Sequence, residues 1–179
     1  MQSPDLSQNY FELFGLPVAF DIDRSALRSE QRRLQASYHP DRFVNAGDRD
    51  RRLSVQVASW INQAYETLRD PVKRARYLLD VKGVEIADES ATTGDTAFLM
   101  EQMELREEID ACRKATDGLQ RSHRVAERLQ QRATELASQF VADYEAGNFE
   151  QATGVTHKMQ FIQRIQQQLD ELQFELEGR

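Results

Sequence analysis

The strongest constraint in the sequence lies between Asp48 and Leu68. There Leu53, Val57, Trp60, Ile61, Ala64 and Leu68 recur at three- and four-residue spacing, the mark of one buried face of an α-helix. Two more such stripes follow: Leu129, Ala133, Leu136, Phe140 and Tyr144, then Ile162, Ile165, Leu169, Leu172 and Leu176. Eight glycines and four prolines in 179 residues are too few for the many turns of an all-β fold. The expected class is all-α.

The first half predicts four helices. Ser7 or Asn9 caps a short one through Phe14, and Asp23 caps a second that runs to about Tyr38. The apolar positions of that second helix are sparse (Ala26, Leu27, Leu34, Tyr38), and the rest is basic, with Arg24, Arg28, Arg32 and Arg33. A loop from His39 to Gly47 leads into the long striped helix, and Pro71 opens the fourth, with Val72, Leu78, Leu79 and Val81 as its apolar set. The second half predicts three helices: about Thr96 to Ala115, about Gly118 to Ala146, and one beginning after Asn148. Short turns between long helices favour antiparallel neighbours, hence a three-helix bundle. Between the halves, residues 83–96 are small and polar with no helical stripe. The charge shifts at the same place. Residues 1–82 hold 13 basic and 11 acidic side chains, and residues 83–179 hold 10 and 19. The expected organisation is a helical unit built on a long antiparallel pair over 1–82, a linker over 83–95, and a three-helix bundle over 96–179.

Composition removes several functions. Cys112 is the sole cysteine, which excludes a disulfide framework, a thiolate-bound structural zinc and an all-cysteine iron–sulfur cluster. His39, His123 and His157 fall in different segments with no i, i+4 pair, so no metal site and no cofactor is expected. No run of eighteen apolar residues exists, and no membrane partner is expected. Residues 1–10 lack the basic start and apolar stretch of a secretory signal, which points to the cytoplasm. A net charge of -7, with no aromatic residues interleaved among the arginines, argues against a nucleic-acid partner.

Two features stand outside the core pattern. The first is His39-Pro40-Asp41-Arg42, next to the basic helix. Pro40 pushes His39 out of the α region, so the helix ends there and His39 and Asp41 stand in a loop. No serine or cysteine nucleophile is placed beside them, so an enzyme is not expected. The second lies in the helix from Thr96. At about 100° per residue, Phe98, Leu105, Ile109 and Cys112 share one arc, while Leu99, Met100 and Met103 centre roughly 160° away. Glu104 and Glu107 border that second arc, and Phe161, at the edge of its own stripe, extends the patch if the helices are neighbours. An exposed apolar patch with an acidic rim suits a protein partner, and methionine suits adaptable packing. Phe174 lies farther off its stripe and has no assigned role.

The basic helix, His39-Pro40-Asp41, the Asn-Gln-Ala-Tyr-Glu-Thr-Leu run (Asn62 to Leu68) and Asp-Pro-Val-Lys-Arg-Ala (Asp70 to Ala75) together resemble the J-domain over roughly residues 9–82. The run from Asp95 to Glu108 resembles the segment that opens the C-terminal domain of the HscB family, J-protein co-chaperones of iron–sulfur cluster assembly. Tyr10 to Pro17 and Arg74 to Leu79 match that family too. The resemblance implies docking on a DnaK/HscA-type chaperone ATPase, with His39, Pro40 and Asp41 as the signal and Arg28, Arg32, Arg33 and Arg42 as the basic docking face. It also implies that Leu99, Met100, Met103, Glu104, Glu107 and Phe161 bind an IscU-type scaffold. The family's usual leucine is methionine at position 103. A general J-domain co-chaperone for misfolded chains, and a helical dimer paired through the Leu99 face, are the remaining readings.

Overall fold

Short polar side chains cap the starts of four of the described α-helices. The computed structural model describes residues 7–86 and 95–178 and divides the chain into two compact units, Met1–Gly83 and Val84–Arg179. Positions 87–94 of the expected linker lie outside the described residues. In the first unit α1 spans Tyr10–Leu13, α2 Arg24–Tyr38, α3 Asp48–Arg69 and α4 Pro71–Val81. Asn9 and Glu12 cap α1 reciprocally, each side chain accepting the other's backbone N–H at 3.0 Å. Asp23 accepts from Ser25 and Ala26 at the start of α2, and Asp70 from Val72 and Lys73 at the start of α4.

Helix α3 is the spine of this unit and packs against α1, α2 and α4. It buries Val57, Ile61, Ala64 and Leu68, while Leu53 and Trp60 are only half-buried. Trp60 meets Tyr10 edge-on, and Tyr10 stacks on Tyr77 at 4.4 Å, so the rim of the stripe is closed by aromatic rings. Arg24 and Leu27 share a cleft with Tyr65 and Arg69, and Gln35 donates to Asn62 at 2.7 Å. The start of α2 thus lies beside the end of α3, and the pair is antiparallel. Only Leu27 and Leu34 of α2 are buried, which leaves its remaining faces to solvent. Arg74 of α4 is buried, donates to the Leu68 carbonyl at 2.5 Å and lies over the Phe20 ring. Burial, and then the Arg24 charge, lower its pKa to about 10.

In the second unit α5 spans Thr96–Lys114, α6 Gly118–Glu145 and α7 Phe149–Glu177, and each helix packs on the other two. The turns between them are three residues long. Gly118 makes the first possible, because a Cβ there would come within 2.1 Å of the Cys112 carbonyl oxygen. Gly147 makes the second possible at φ +76°. Val125, Leu129, Leu136 and Phe140 of α6 face Ile162, Ile165, Leu169 and Leu172 of α7 across the core.

Two local expectations change. The segment from His39 to Gly47 is not loop throughout: Pro40–Phe43 winds a 3₁₀ turn, since proline is preorganised for a first helical position. The apolar face of α7 is also wider than the stripe from Ile162 to Leu176. Ala152, Val155, Thr156, His157, Met159 and Phe161 are buried as well, because this part of α7 covers two neighbours.

Candidate partner-binding surfaces

The first candidate surface is built where α2 stops. His39 is extended (φ −60°, ψ 131°), and its side chain and that of Asp41 are exposed. The Asp41 N–H donates to His39 Nδ1 at 3.3 Å, and an Asp41 carboxylate oxygen lies 3.5 Å from the same nitrogen. Arg42 folds back and donates to the Ala36 carbonyl at 2.9 Å, satisfying one of the open acceptors at the end of α2. The loop is thereby tied to the helix that precedes it.

The four arginines of this surface are not equivalent. Arg33 is held by Glu30 through two bonds, at 2.8 and 2.5 Å. The bond to Arg33 holds the Glu30 carboxyl below its usual value, and Glu30 raises Arg33 in return. Arg28 and Arg32 are exposed and have no ion-pair partner among the described residues. With Arg24, exposed at the start of the helix, they carry the uncompensated positive charge of α2.

The second candidate surface lies on α5. Phe98, Leu105, Ile109 and Cys112 are buried, and burial pushes the Cys112 thiol up. On the opposite arc Leu99 is 40% exposed, Met100 58% and Met103 61%. Glu104 and Glu107 beside them are exposed, with no ion pair among the described residues. Phe161 departs from the expected patch. It is 4% exposed, its ring meets Phe98 edge-on at 5.5 Å, and the Arg106 guanidinium covers it. Helix α5 packs over this part of α7, so Phe161 lies beneath the patch rather than in it.

Charged contacts fix α5 on its neighbours. Glu101 pairs with Arg132 at 2.7 and 3.0 Å, and Glu108 with Arg128 at 2.8 and 2.5 Å, both as forks across to α6. Asp95 accepts from the Phe98 N–H at 2.9 Å and pairs with Lys158 of α7 at 2.6 Å. These supports are tertiary pairings, and residue spacing along one helix gives no sign of them. Asp95 is held below its ordinary value of 3.8 by Lys158 first and the Phe98 N–H second. A carboxyl depressed in the fold stabilises it at neutral pH and ceases to do so as the pH falls through its folded value. We therefore expect Asp95→Ala to lower the melting temperature at neutral pH, with the gap to wild type narrowing as the pH falls below the ordinary 3.8 of the group. Thermal melts across that range check this; a gap that does not change with pH would contradict it.

Among the described residues no group of three or more His, Cys, Asp or Glu side chains is placed to hold a metal ion, and no helix is long and apolar enough to cross a membrane. One surface is basic around an ordered His-Pro-Asp turn, and the other is apolar with an acidic edge.

The fold is all-α, and comparisons with known proteins show the class to which it belongs. The profile described as "HSCB C-terminal oligomerisation domain" matches residues 94–170. The chain is 38% identical over 165 residues to the co-chaperone protein HscB of Proteus mirabilis (strain HI4320), spanning 92% of this chain and 95% of that protein. The solved structure of the chaperone HscB from Vibrio cholerae superposes with a TM-score of 0.87 at 37% identity, covering 94% of this chain and 99% of that one. The crystal structure of the human co-chaperone protein HscB gives 0.86 at 26% identity, over 95% of this chain and 84% of that one. The chain belongs to the HscB family, J-type co-chaperones of iron–sulfur cluster assembly.

Proposed function

We propose that this protein joins a DnaK/HscA-type chaperone to an IscU-type iron–sulfur scaffold, and that it does so in the cytoplasm without chemistry of its own. Residues 1–82 act as the J-domain. His39, Pro40 and Asp41 give the signal for ATP hydrolysis, Arg28 and Arg32 meet an acidic face of the chaperone, and Arg33 and Arg42 hold the shape of the site. Residues 96–179 carry the scaffold on Leu99, Met100 and Met103, with Glu104 and Glu107 at the edge and Phe161 supporting the patch from below. The observation that carries this reading is the simultaneous exposure of Leu99, Met100 and Met103 on a helix whose opposite face already fills the core. A three-helix bundle does not need that second face for its own stability, and apolar side chains gathered in one place suit a partner.

Tethering is the mechanism. A scaffold held on the bundle is presented to the chaperone at high effective concentration once the J-domain docks. The experiment is a steady-state ATPase assay of an HscA-type chaperone with this protein alone, the scaffold alone and both. Stimulation by this protein alone, and more than the sum with both, is expected. A merely additive response would contradict tethering, and stimulation of the same size by an unrelated denatured protein would favour a general co-chaperone for misfolded chains.

A further inference from the structure

A cleft of about 340 Å³ opens where the start of α2 meets the end of α3. Arg24 and Arg28 of α2 line it together with Tyr65 and Arg69 of α3, and the buried Leu27 lies among them. That volume is within the range of small-molecule sites. Arg24 and Arg28 stand four residues apart on one helix face, an arrangement that repels when nothing compensates it. Neither has an ion-pair partner among the described residues. Arg69 is held by Glu66 at 2.9 Å and by the Tyr65 ring, whose centroid lies 5.8 Å from the guanidinium carbon.

Arg74 adds a fourth guanidinium nearby. It donates to the carbonyl of Leu68, the residue before Arg69, and its Nε is buried with no hydrogen-bond partner among the described residues. Burial first, and the Arg24 charge second, lower its pKa, so this end of the unit holds positive charge in excess. The lining carboxylate, Asp70, accepts the Val72 and Lys73 N–H groups, and Asp23 likewise accepts those of Ser25 and Ala26. The helix starts are therefore already capped, and an anion here would be held by guanidinium groups.

We infer that this cleft is an oxyanion site that takes a phosphate group between Arg24, Arg28 and Arg69. A carboxylate satisfies one guanidinium fork, whereas a phosphate offers oxygens to several at once. The bound charge would also relieve the repulsion between Arg24 and Arg28. The site lies at the opposite end of α2 from His39. Arg24 and Arg69 have no part in the chaperone-docking reading, so the inference stands or falls independently of it.

The test is an NMR titration of the full chain, observed at its backbone amides, with inorganic phosphate, ADP and adenosine in turn. Ionic strength is held constant with chloride. Saturable shifts at residues 24–28 and 68–73 are expected, with a dissociation constant of about 1 mM or tighter. Arg24→Gln with Arg69→Gln is expected to weaken binding about tenfold or more, the scale of losing charge-assisted contacts, and Arg121→Gln in the second unit to leave it unchanged. Thermal melts check that each variant folds; if the pair lowers the melting temperature, Arg24→Gln alone is used, since that side chain is exposed. Equal affinity for phosphate and ADP would make the free anion the ligand, and tighter binding of ADP would make it a nucleotide's phosphate chain; either supports the site. No saturation, the same shifts from chloride, adenosine binding as well as ADP, or wild-type affinity in the folded double variant would overturn it. A glutamate-rich peptide that shifts the same amides at lower concentration than phosphate would make the cleft a peptide surface and contradict the inference.

Discussion

His39→Gln is expected to cut stimulation of the chaperone ATPase by about tenfold or more, the scale of losing a central contact at a protein interface, while scaffold binding stays at the wild-type level. The argument is geometric. His39 is exposed, it follows the last turn of α2, and its Nδ1 already accepts the Asp41 N–H. It fills no core position, so replacing it has little consequence for stability, within the range of ordinary surface substitutions. What changes is the group offered to the chaperone. A rigid ring, oriented by its own loop, becomes a flexible amide. The loop itself survives, because Pro40 still opens the 3₁₀ turn and Arg42 still reaches the Ala36 carbonyl. The α5 face belongs to the other compact unit and is untouched. Matched thermal melts, ATPase rates and scaffold titrations check all three parts; a full ATPase response from a folded His39→Gln protein would refute the J-domain assignment.

The second large effect is expected on scaffold affinity. Leu99→Ala together with Met103→Ala is expected to weaken binding by about 2–3 kcal/mol, some 30- to 150-fold, the magnitude of truncating interface anchors. Both side chains are substantially exposed, so their removal leaves the bundle core as it is. Phe161 is unsuited to the same experiment. Its ring is buried against Phe98 under Arg106, and truncating a buried phenylalanine costs about 3–5 kcal/mol of fold stability. A Phe161→Ala protein that fails to bind therefore reports on the bundle as much as on the interface. Titration of the Leu99/Met103 variant against wild type, with ATPase stimulation retained as the check on the first unit, decides the matter. Unchanged affinity would remove the patch from the scaffold site.

The parts of this molecule that the sequence displays are the ones governed by local chemistry. Asn9, Asp23, Asp70 and Asp95 are each followed within three residues by the backbone N–H groups they cap, so helix starts are visible without knowing what packs where. The two faces of α5 are visible for a similar reason: helical periodicity alone separates Phe98, Leu105 and Ile109 from Leu99, Met100 and Met103.

What depends on a neighbouring helix is not visible. Spacing puts Phe161 at the margin of a stripe, and only the packing of α5 over α7 carries it into the interior. The same packing buries Thr156 and His157, which the stripe through Ile162 does not include. The arginines of α2 and of the turn that follows it look like one uniform basic face. The structure divides them: Arg33 is neutralised by Glu30, Arg42 is spent on a backbone carbonyl, and Arg28 and Arg32 are left unpaired among the described residues. The forks from Glu101 and Glu108 to α6, and the ring under Arg106, are likewise products of tertiary contact.

The central claim is that the second apolar face of α5 is the binding site for an iron–sulfur scaffold. Its most direct test is a calorimetric titration of the wild-type protein with a purified IscU-type scaffold. The account predicts saturable one-to-one binding, with a negative heat-capacity change from burying Leu99, Met100 and Met103. No binding from a well-folded sample would contradict it and leave the C-terminal bundle with a different client.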